Sequence, residues 1–200
     1  MQELPRQTVQ PSKPLPTLNT GRCTIRLAQE ADVDAVLAYL TANQAHLANG
    51  GPAWPADYLT RAYWERQVAE NIVDFYDDQA VRFFLFDRSN PGIVVGAAGL
   101  NNIVRSAAQY CTLGYSIAAE KEGKSMMKEA LQSVIAYGFS ALNLHRITAN
   151  YQPSNQRSGW LLRSLGFNVE GYARDYLYIN GKWCDHILTS MLNPNWMPRD

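Results

Sequence analysis

The chain has 200 residues, with 18 Lys and Arg against 18 Asp and Glu, so its formal net charge is zero. That balance removes the electrostatic case for nucleic acid or an anionic membrane as the main partner. The 46 % apolar fraction and the length suit one globular domain, which at this size buries about 70 % of the surface exposed by its unfolded chain.

Met1 to Thr20 carries Pro5, Pro11, Pro14 and Pro16 and few apolar residues, which predicts a flexible tail ahead of a single domain over residues 21–200. Alternation predicts a strand over Cys23 to Ala28. Val33, Val36, Leu37 and Leu40 recur at helical spacing and predict a helix over Glu30 to Asn43. The Gly50-Gly51-Pro52 and Trp54-Pro55 breakers predict a loop over His46 to Asp57, and Leu59 to Asp74 reads as a second helix. Val81 to Asp87 and Ile93 to Val104 read as a hairpin turning at Asn90-Pro91-Gly92, followed by a strand over Gln109 to Ile117.

Met126, Met127, Ala130, Leu131, Val134, Ile135 and Gly138 form one apolar stripe, so Lys124 to Leu142 reads as a helix with a buried face. Arg146 to Tyr151 is a strand, and Asn155 to Leu165 a helix stopped by Gly166. Val169 to Ile179 and Trp183 to Met191 flank Asn180-Gly181, the strongest short hairpin signal in the chain. The expected fold is therefore α/β (α+β), a mixed sheet of about seven strands with about four helices.

Cys23, Cys111 and Cys184 form no C-x-x-C pair, and the three histidines lack metal-ligand spacing, so reduced thiols and no metal are expected. No run approaches the roughly 18 apolar residues that a membrane helix needs, and the N-terminus lacks an apolar export segment. A cytoplasmic protein is expected, with monomer and homodimer both open.

Two strand–loop–helix units stand out. In the first, Tyr110 to Leu131, a strand runs through a charged loop into a helix start. Free backbone N–H groups and the positive dipole end there suit a phosphate or pyrophosphate. In the second, Tyr151 to Phe167, a strand end turns into a short helix that begins with Ser, Asn and Arg. Such a pair suggests a cofactor with its phosphates on one helix start and its reactive end near the next.

These segments carry a family resemblance. Asn101 to Ile117 (NNIVRSAAQYCTLGYSI), His145 to Phe167 (HRITANYQPSNQRSGWLLRSLGF) and Glu170 to Thr189 (EGYARDYLYINGKWCDHILT) resemble the GNAT superfamily of acetyl-CoA-dependent N-acetyltransferases. Within it they look like the RimJ branch, which acetylates the N-terminal alanine of ribosomal proteins. The resemblance spans roughly residues 22–197. It implies the GNAT fold, in which the strand bearing Leu113, Gly114, Tyr115, Ser116 and Ile117 splays away from Arg146 to Tyr151. Pantetheine lies in that gap, with Asn150 beside it, and a backbone N–H meets the thioester oxygen. One such donor is typically worth about 3 kcal/mol in the transition state.

The family's pyrophosphate loop, Q/R-x-x-G-x-G/A, is here Glu122-Gly123-Lys124-Ser125-Met126-Met127. Glu122 puts a carboxylate where glutamine or arginine is usual, and Ser125 puts a Cβ where a glycine is usual, which implies strain if φ is positive. Lys124 adds a compensating charge. Asn155 and Ser158 share a face at a helix start; the match implies that Asn155 holds the pantetheine amide and Ser158 passes a proton to the leaving thiolate. Helix capping is the plain alternative for Asn155. Arg157 either meets a phosphate or is solvated.

Asn43, His46 and Leu47 resemble the N-x-x-x-L segment beside the acceptor site. The usual tryptophan–glutamate–proline after it is interrupted, leaving Trp54-Pro55 without the acid. Tyr172, Asp175, Tyr176 and Asp185 on the last hairpin are candidates to line the peptide channel. Asp185 and His186 are adjacent on a strand and point to opposite faces, so they form no simple dyad.

The expected function is acetylation of a protein N-terminal amine, that of an alanine on a small-subunit ribosomal protein, with acetyl-CoA and a ribosomal protein or the ribosome as partners. Two alternatives stand beside it: a small-molecule amine or another protein as acceptor, and a non-catalytic CoA-binding module motivated by Glu122 and Ser125.

Overall fold

The computed structural model describes residues 13–48 and 51–198. Residues 1–12 of the expected tail, together with Gly50, lie outside the described residues. The chain is already in the sheet at β1 (Thr17–Asn19), an edge strand pairing with β2 (Cys23–Arg26). This places Thr17–Asn19 of the expected tail in the sheet, which has eight strands among the described residues.

After a 3-10 turn over Glu30–Asp32, α1 (Val33–Ala42) and the short α2 (Gln44–Leu47) lead to α3 (Arg61–Tyr76), whose N-terminus Thr60 caps through its hydroxyl. Next come β3 (Val81–Asp87) and β4 (Asn90–Val104). The turn between them falls on Arg88 and Ser89, earlier than Pro91 suggested. The Asp87 carboxylate holds it, accepting from the Ser89 N–H at 2.9 Å and the Ser89 hydroxyl at 2.6 Å.

β5 (Tyr110–Ile117) runs antiparallel to β4, followed by α4 (Met126–Ser140), β6 (Arg146–Tyr151), α5 (Gln156–Leu165) and the hairpin β7 (Asn168–Ile179) and β8 (Lys182–Leu192). The sheet order is β1-β2-β3-β4-β5-β6-β8-β7, and β5–β6 is its one parallel pairing.

Helices cover both faces. The run VRFFLFD of β3 sends Phe83 and Leu85 into the layer under α4, and Phe84 and Phe86 into the layer under α1 and α3. A strand buried on both sides reads as a continuous apolar run, and this one does. The apolar stripe of α4 is fully buried, with Ala130, Leu131 and Val134 at 0 % exposure. That burial fixes the helix start, and with it the loop before it, against the ends of β5 and β2.

Candidate active site

The decisive feature is where β5 and β6 stop pairing. Tyr110, Cys111 and Thr112 lie opposite Arg146, Ile147 and Thr148, and beyond Thr112 no further pair forms. Leu113 to Ile117 remain bonded to β4 along one edge while the other edge faces the gap. β6 meanwhile continues along β8 as far as Tyr151–Ile187. A row of unused backbone donors and acceptors therefore borders a wedge in the middle of the sheet.

Hydroxyl pairs meet on both faces of the sheet beside the wedge. The Tyr115 hydroxyl on β5 lies 2.6 Å from the Ser158 Oγ on α5, and burial raises the Tyr115 pKa. On the opposite face, the Ser116 Oγ lies 2.9 Å from the hydroxyl of Tyr39 on α1. Asn155 is the N-cap of α5; its Oδ1 accepts from the Ser158 N–H at 3.1 Å, and its Nδ2 has no partner among the described residues. Capping and a cofactor contact are thus compatible, because they use different atoms.

The loop before α4 has the backbone its glycine pattern implies. Gly123 has φ +69° and Ser125 has φ 56°, so the serine sits in the left-handed region without a side-chain cap bond in return. Met126 and Met127 turn their side chains into the core and leave only backbone at the helix mouth. Arg22, in the bend just before β2, braces the loop, donating to the Lys124 carbonyl at 2.6 Å and pairing with Glu129 at 2.7 Å. Lys121 reaches back to Asp87 at 3.1 Å. The Lys124 side chain is exposed.

Glu122 is not a lone carboxylate beside this mouth. It is ion-paired with Arg157 of α5, and His46 Nε2 of α2 lies 3.5 Å from its other oxygen. The negative charge is offset by a cation that would otherwise be available to phosphate.

The end of α2 and the tip of the last hairpin are tied together where Asn180 Nδ2 donates to the Ala48 carbonyl at 2.9 Å. Asn43 accepts from the Ala119 N–H at 2.9 Å and donates to the Tyr39 carbonyl at 2.8 Å, so it anchors the loop after β5. Leu47 packs into the layer under α1 and α3, and Trp54 stacks on Tyr58 with ring centroids 4.5 Å apart.

Tyr172, Asp175 and Asp185 engage one another. The Asp185 carboxylate accepts from the Tyr172 hydroxyl and, at 2.9 Å, from the Asp175 N–H, and these two donors lower its pKa. Tyr176 alone of the four hairpin candidates reaches β6: its hydroxyl lies 3.4 Å from Asn150 Nδ2.

Residues 22–168 match the acetyltransferase (GNAT) domain family. The chain belongs to the GNAT acetyltransferases. It is 38 % identical over 182 residues to the [ribosomal protein uS5]-alanine N-acetyltransferase of Escherichia coli (strain K12), covering 90 % of this chain and 93 % of that one. The crystal structure of ribosomal-protein-S5-alanine acetyltransferase from Vibrio fischeri superposes with a TM-score of 0.87 at 34 % identity, covering 91 % of this chain and 99 % of that one. Mycobacterium smegmatis RimJ in complex with CoA-disulfide shares the fold, with a TM-score of 0.81 at 23 % identity over 93 % of this chain and 90 % of that one. This GNAT enzyme is therefore an N-acetyltransferase of the RimJ-like branch.

GNAT acetyltransferases use acetyl-CoA, and the residues of this one fit it. The wedge exposes strand backbone, the α4 mouth presents unpaired N–H groups beside two left-handed residues, and Ser158 with Tyr115 places hydroxyls between them. Two cavities lie elsewhere. One of about 400 Å³ is at the far end of α4, lined by Phe75, Arg105 and Asn143, and one of about 200 Å³ lies beside α5. Cys111 sits under the wedge, but burial pushes its thiol up to about 12, which removes it as a nucleophile. No group of metal-ligating side chains occurs among the described residues, and no helix there is long and apolar enough to cross a membrane.

Two residues at the site escaped the sequence. Nothing local marks Tyr39, whose role depends on α1 packing across β5. His186 was set aside as half of a failed dyad, because its place on the same face as Asn150 follows only from the β6–β8 register.

Proposed function

We propose that this acetyltransferase modifies the N-terminal α-amine of a small-subunit ribosomal protein, on alanine, with acetyl-CoA as donor. The observation that carries this is the parting of β5 and β6 beyond Thr112 in a chain aligned over nine-tenths of its length with an enzyme of that specificity. A ribosomal acceptor implies a cytoplasmic setting.

When bound, acetyl-CoA supplies the activated acetyl group as a thioester. The free edge of Leu113 to Ile117 binds the pantetheine arm as an added strand would and directs an N–H at the carbonyl oxygen, where charge develops. Gly123 to Met127 receive the phosphates on backbone N–H groups, with Lys124 as a mobile charge. Asn155 offers Nδ2 to the arm. Ser158, held by Tyr115, gives the departing sulfur a proton. The hairpin tip and α2 narrow the opposite mouth so that an extended N-terminus enters with its amine leading.

The test mixes the purified chain with acetyl-CoA and peptides beginning with Ala, Ser or Met, and follows thiol release. An alanine peptide from a ribosomal protein N-terminus should be the best acceptor. Release with a small amine alone would overturn the acceptor assignment. No heat with acetyl-CoA at high micromolar concentration would overturn the enzymatic reading as well.

A further inference from the structure

Resting on the acyl-transfer reading above, the geometry points to His186 as the catalytic residue that takes the proton of the acceptor ammonium, through its Nε2.

His186 is 4 % exposed. Its Nδ1 lies 3.0 Å from the Cys184 carbonyl oxygen, an atom that can only accept, so Nδ1 carries the hydrogen. In the neutral ring Nε2 is then bare, and it has no hydrogen-bond partner among the described residues. Nε2 is nonetheless not sealed off: the one fully buried side-chain polar atom without a partner among the described residues is the Tyr137 hydroxyl, so an amine can reach this nitrogen.

The atom faces the reaction side of the sheet. β6 and β8 pair Asn150 with Leu188, and β5 and β6 pair Thr112 with Thr148. Counting by twos, Ser116, Asn150, Leu188 and His186 share one face. That face is the one closed by α1, α2 and the hairpin tip.

The ring is held in place by a bulge. Between the pairs Ala173–His186 and Leu177–Cys184, β7 sets Arg174, Asp175 and Tyr176 against Asp185 alone. Asp185 anchors the bulge from the opposite face through the Asp175 N–H and the Tyr172 hydroxyl. The displaced Tyr176 lays its ring 5.6 Å from that of His186 and its hydroxyl beside Asn150. The titratable groups against the imidazole are therefore Tyr176 from β7 and, on its own strand, Cys184 and Asp185. Neither other histidine competes, since His46 faces Glu122 and His145 packs on Trp196.

The step balances as follows. The acceptor R–NH3+ gives one proton to Nε2, forming imidazolium and R–NH2. The nitrogen lone pair forms the N–C bond, and the C–S bond breaks with its electron pair on sulfur. The second proton shed by nitrogen reaches the thiolate by way of Ser158, and the imidazolium returns its proton to solvent.

Two measurements test this. Nitrogen-15 NMR of the full chain at pH 8 reads the tautomer; His186 should be the Nδ1–H form, and an Nε2–H ring overturns the proposal. The pH profile of kcat/KM, taken with an alanine peptide or a small primary amine, reads the proton. The α-amine of an alanine peptide titrates near pH 8 and an alkyl primary amine near 10, so without a protein base the rate falls about tenfold per pH unit below the acceptor's own value. Wild type should hold a plateau below pH 8, whereas His186→Asn and His186→Gln should follow the tenfold slope. Their acetyl-CoA affinity should stay within about twofold, because the residue only meets the amine. A wild-type profile with that slope overturns the proposal even if both variants fail to fold. A variant deficit equal at every pH also overturns it. A wild type that acetylates the small amine but no peptide removes the ribosomal acceptor and leaves His186 testable; one that acetylates neither removes the reaction and this proposal with it.

Discussion

Glu122→Gln should tighten acetyl-CoA binding. The carboxylate sits at the start of the phosphate loop, paired with Arg157, whose side chain is 81 % exposed against 29 % for Glu122. Such an exposed pair contributes at most about 1 kcal/mol to the fold, so the variant should fold as wild type does. A unit charge about 8 Å from a pyrophosphate carrying about two charges costs about 1 kcal/mol in water, and about half of that at 0.1 M salt. Removing it also frees Arg157 to turn toward phosphate. The dissociation constant should fall about two- to fivefold. Calorimetry with CoA at low and moderate salt reads the change, which should shrink as salt rises. Arg157→Ala should weaken binding more in the Glu122→Gln background than in wild type. Unchanged or weaker affinity in Glu122→Gln, or a tightening indifferent to salt, would refute the placement of phosphate beside this loop.

Ser125→Gly removes a Cβ from a left-handed residue that makes no cap bond, and should stabilise the chain by about 0.5 kcal/mol after the entropy lost by glycine, which is a rise of about 1–2 °C in Tm. Ser125→Ala keeps the Cβ and should melt with wild type; a glycine variant no more stable than the alanine variant would place the strain elsewhere. Ser158→Ala should lower kcat about tenfold or more with little change in acetyl-CoA affinity, and Tyr115→Phe about two- to tenfold. An equal loss of affinity in both would make the pair a binding contact instead. Asp87 is held down to about 2 by the Ser89 hydroxyl and N–H and by Lys121. A depressed carboxylate gives stability that is present above its unfolded value of 3.8 and lost as pH falls toward about 2. The urea midpoint of wild type should therefore drop between pH 4 and 2 more steeply than that of Asp87→Asn, and parallel curves would refute the assignment.

Much was legible along the chain because its causes are local. The α4 stripe, the Asn155 cap and the Asn180-Gly181 turn each depend on neighbours within a turn or two, and the long GNAT segments locate the wedge. The unpredicted β1 is three residues long and proline-flanked, too short to show a period. The turn at Arg88 and Ser89 was misplaced because the Asp87 carboxylate outweighed the proline signal two residues later.

Taken alone, the amino-acid order determined which residues can form strands and helices, the family, and the chemistry at the helix starts. Tertiary structure decided which charges and donors meet across the gap. Glu122 finds Arg157 35 residues away, Tyr39 reaches Ser116 across 77, and the β7 bulge lays Tyr176 over His186. Those partners depend on packing and register between distant segments, and a shift of one residue in β5 or β8 would turn Ser116 or His186 to the other face.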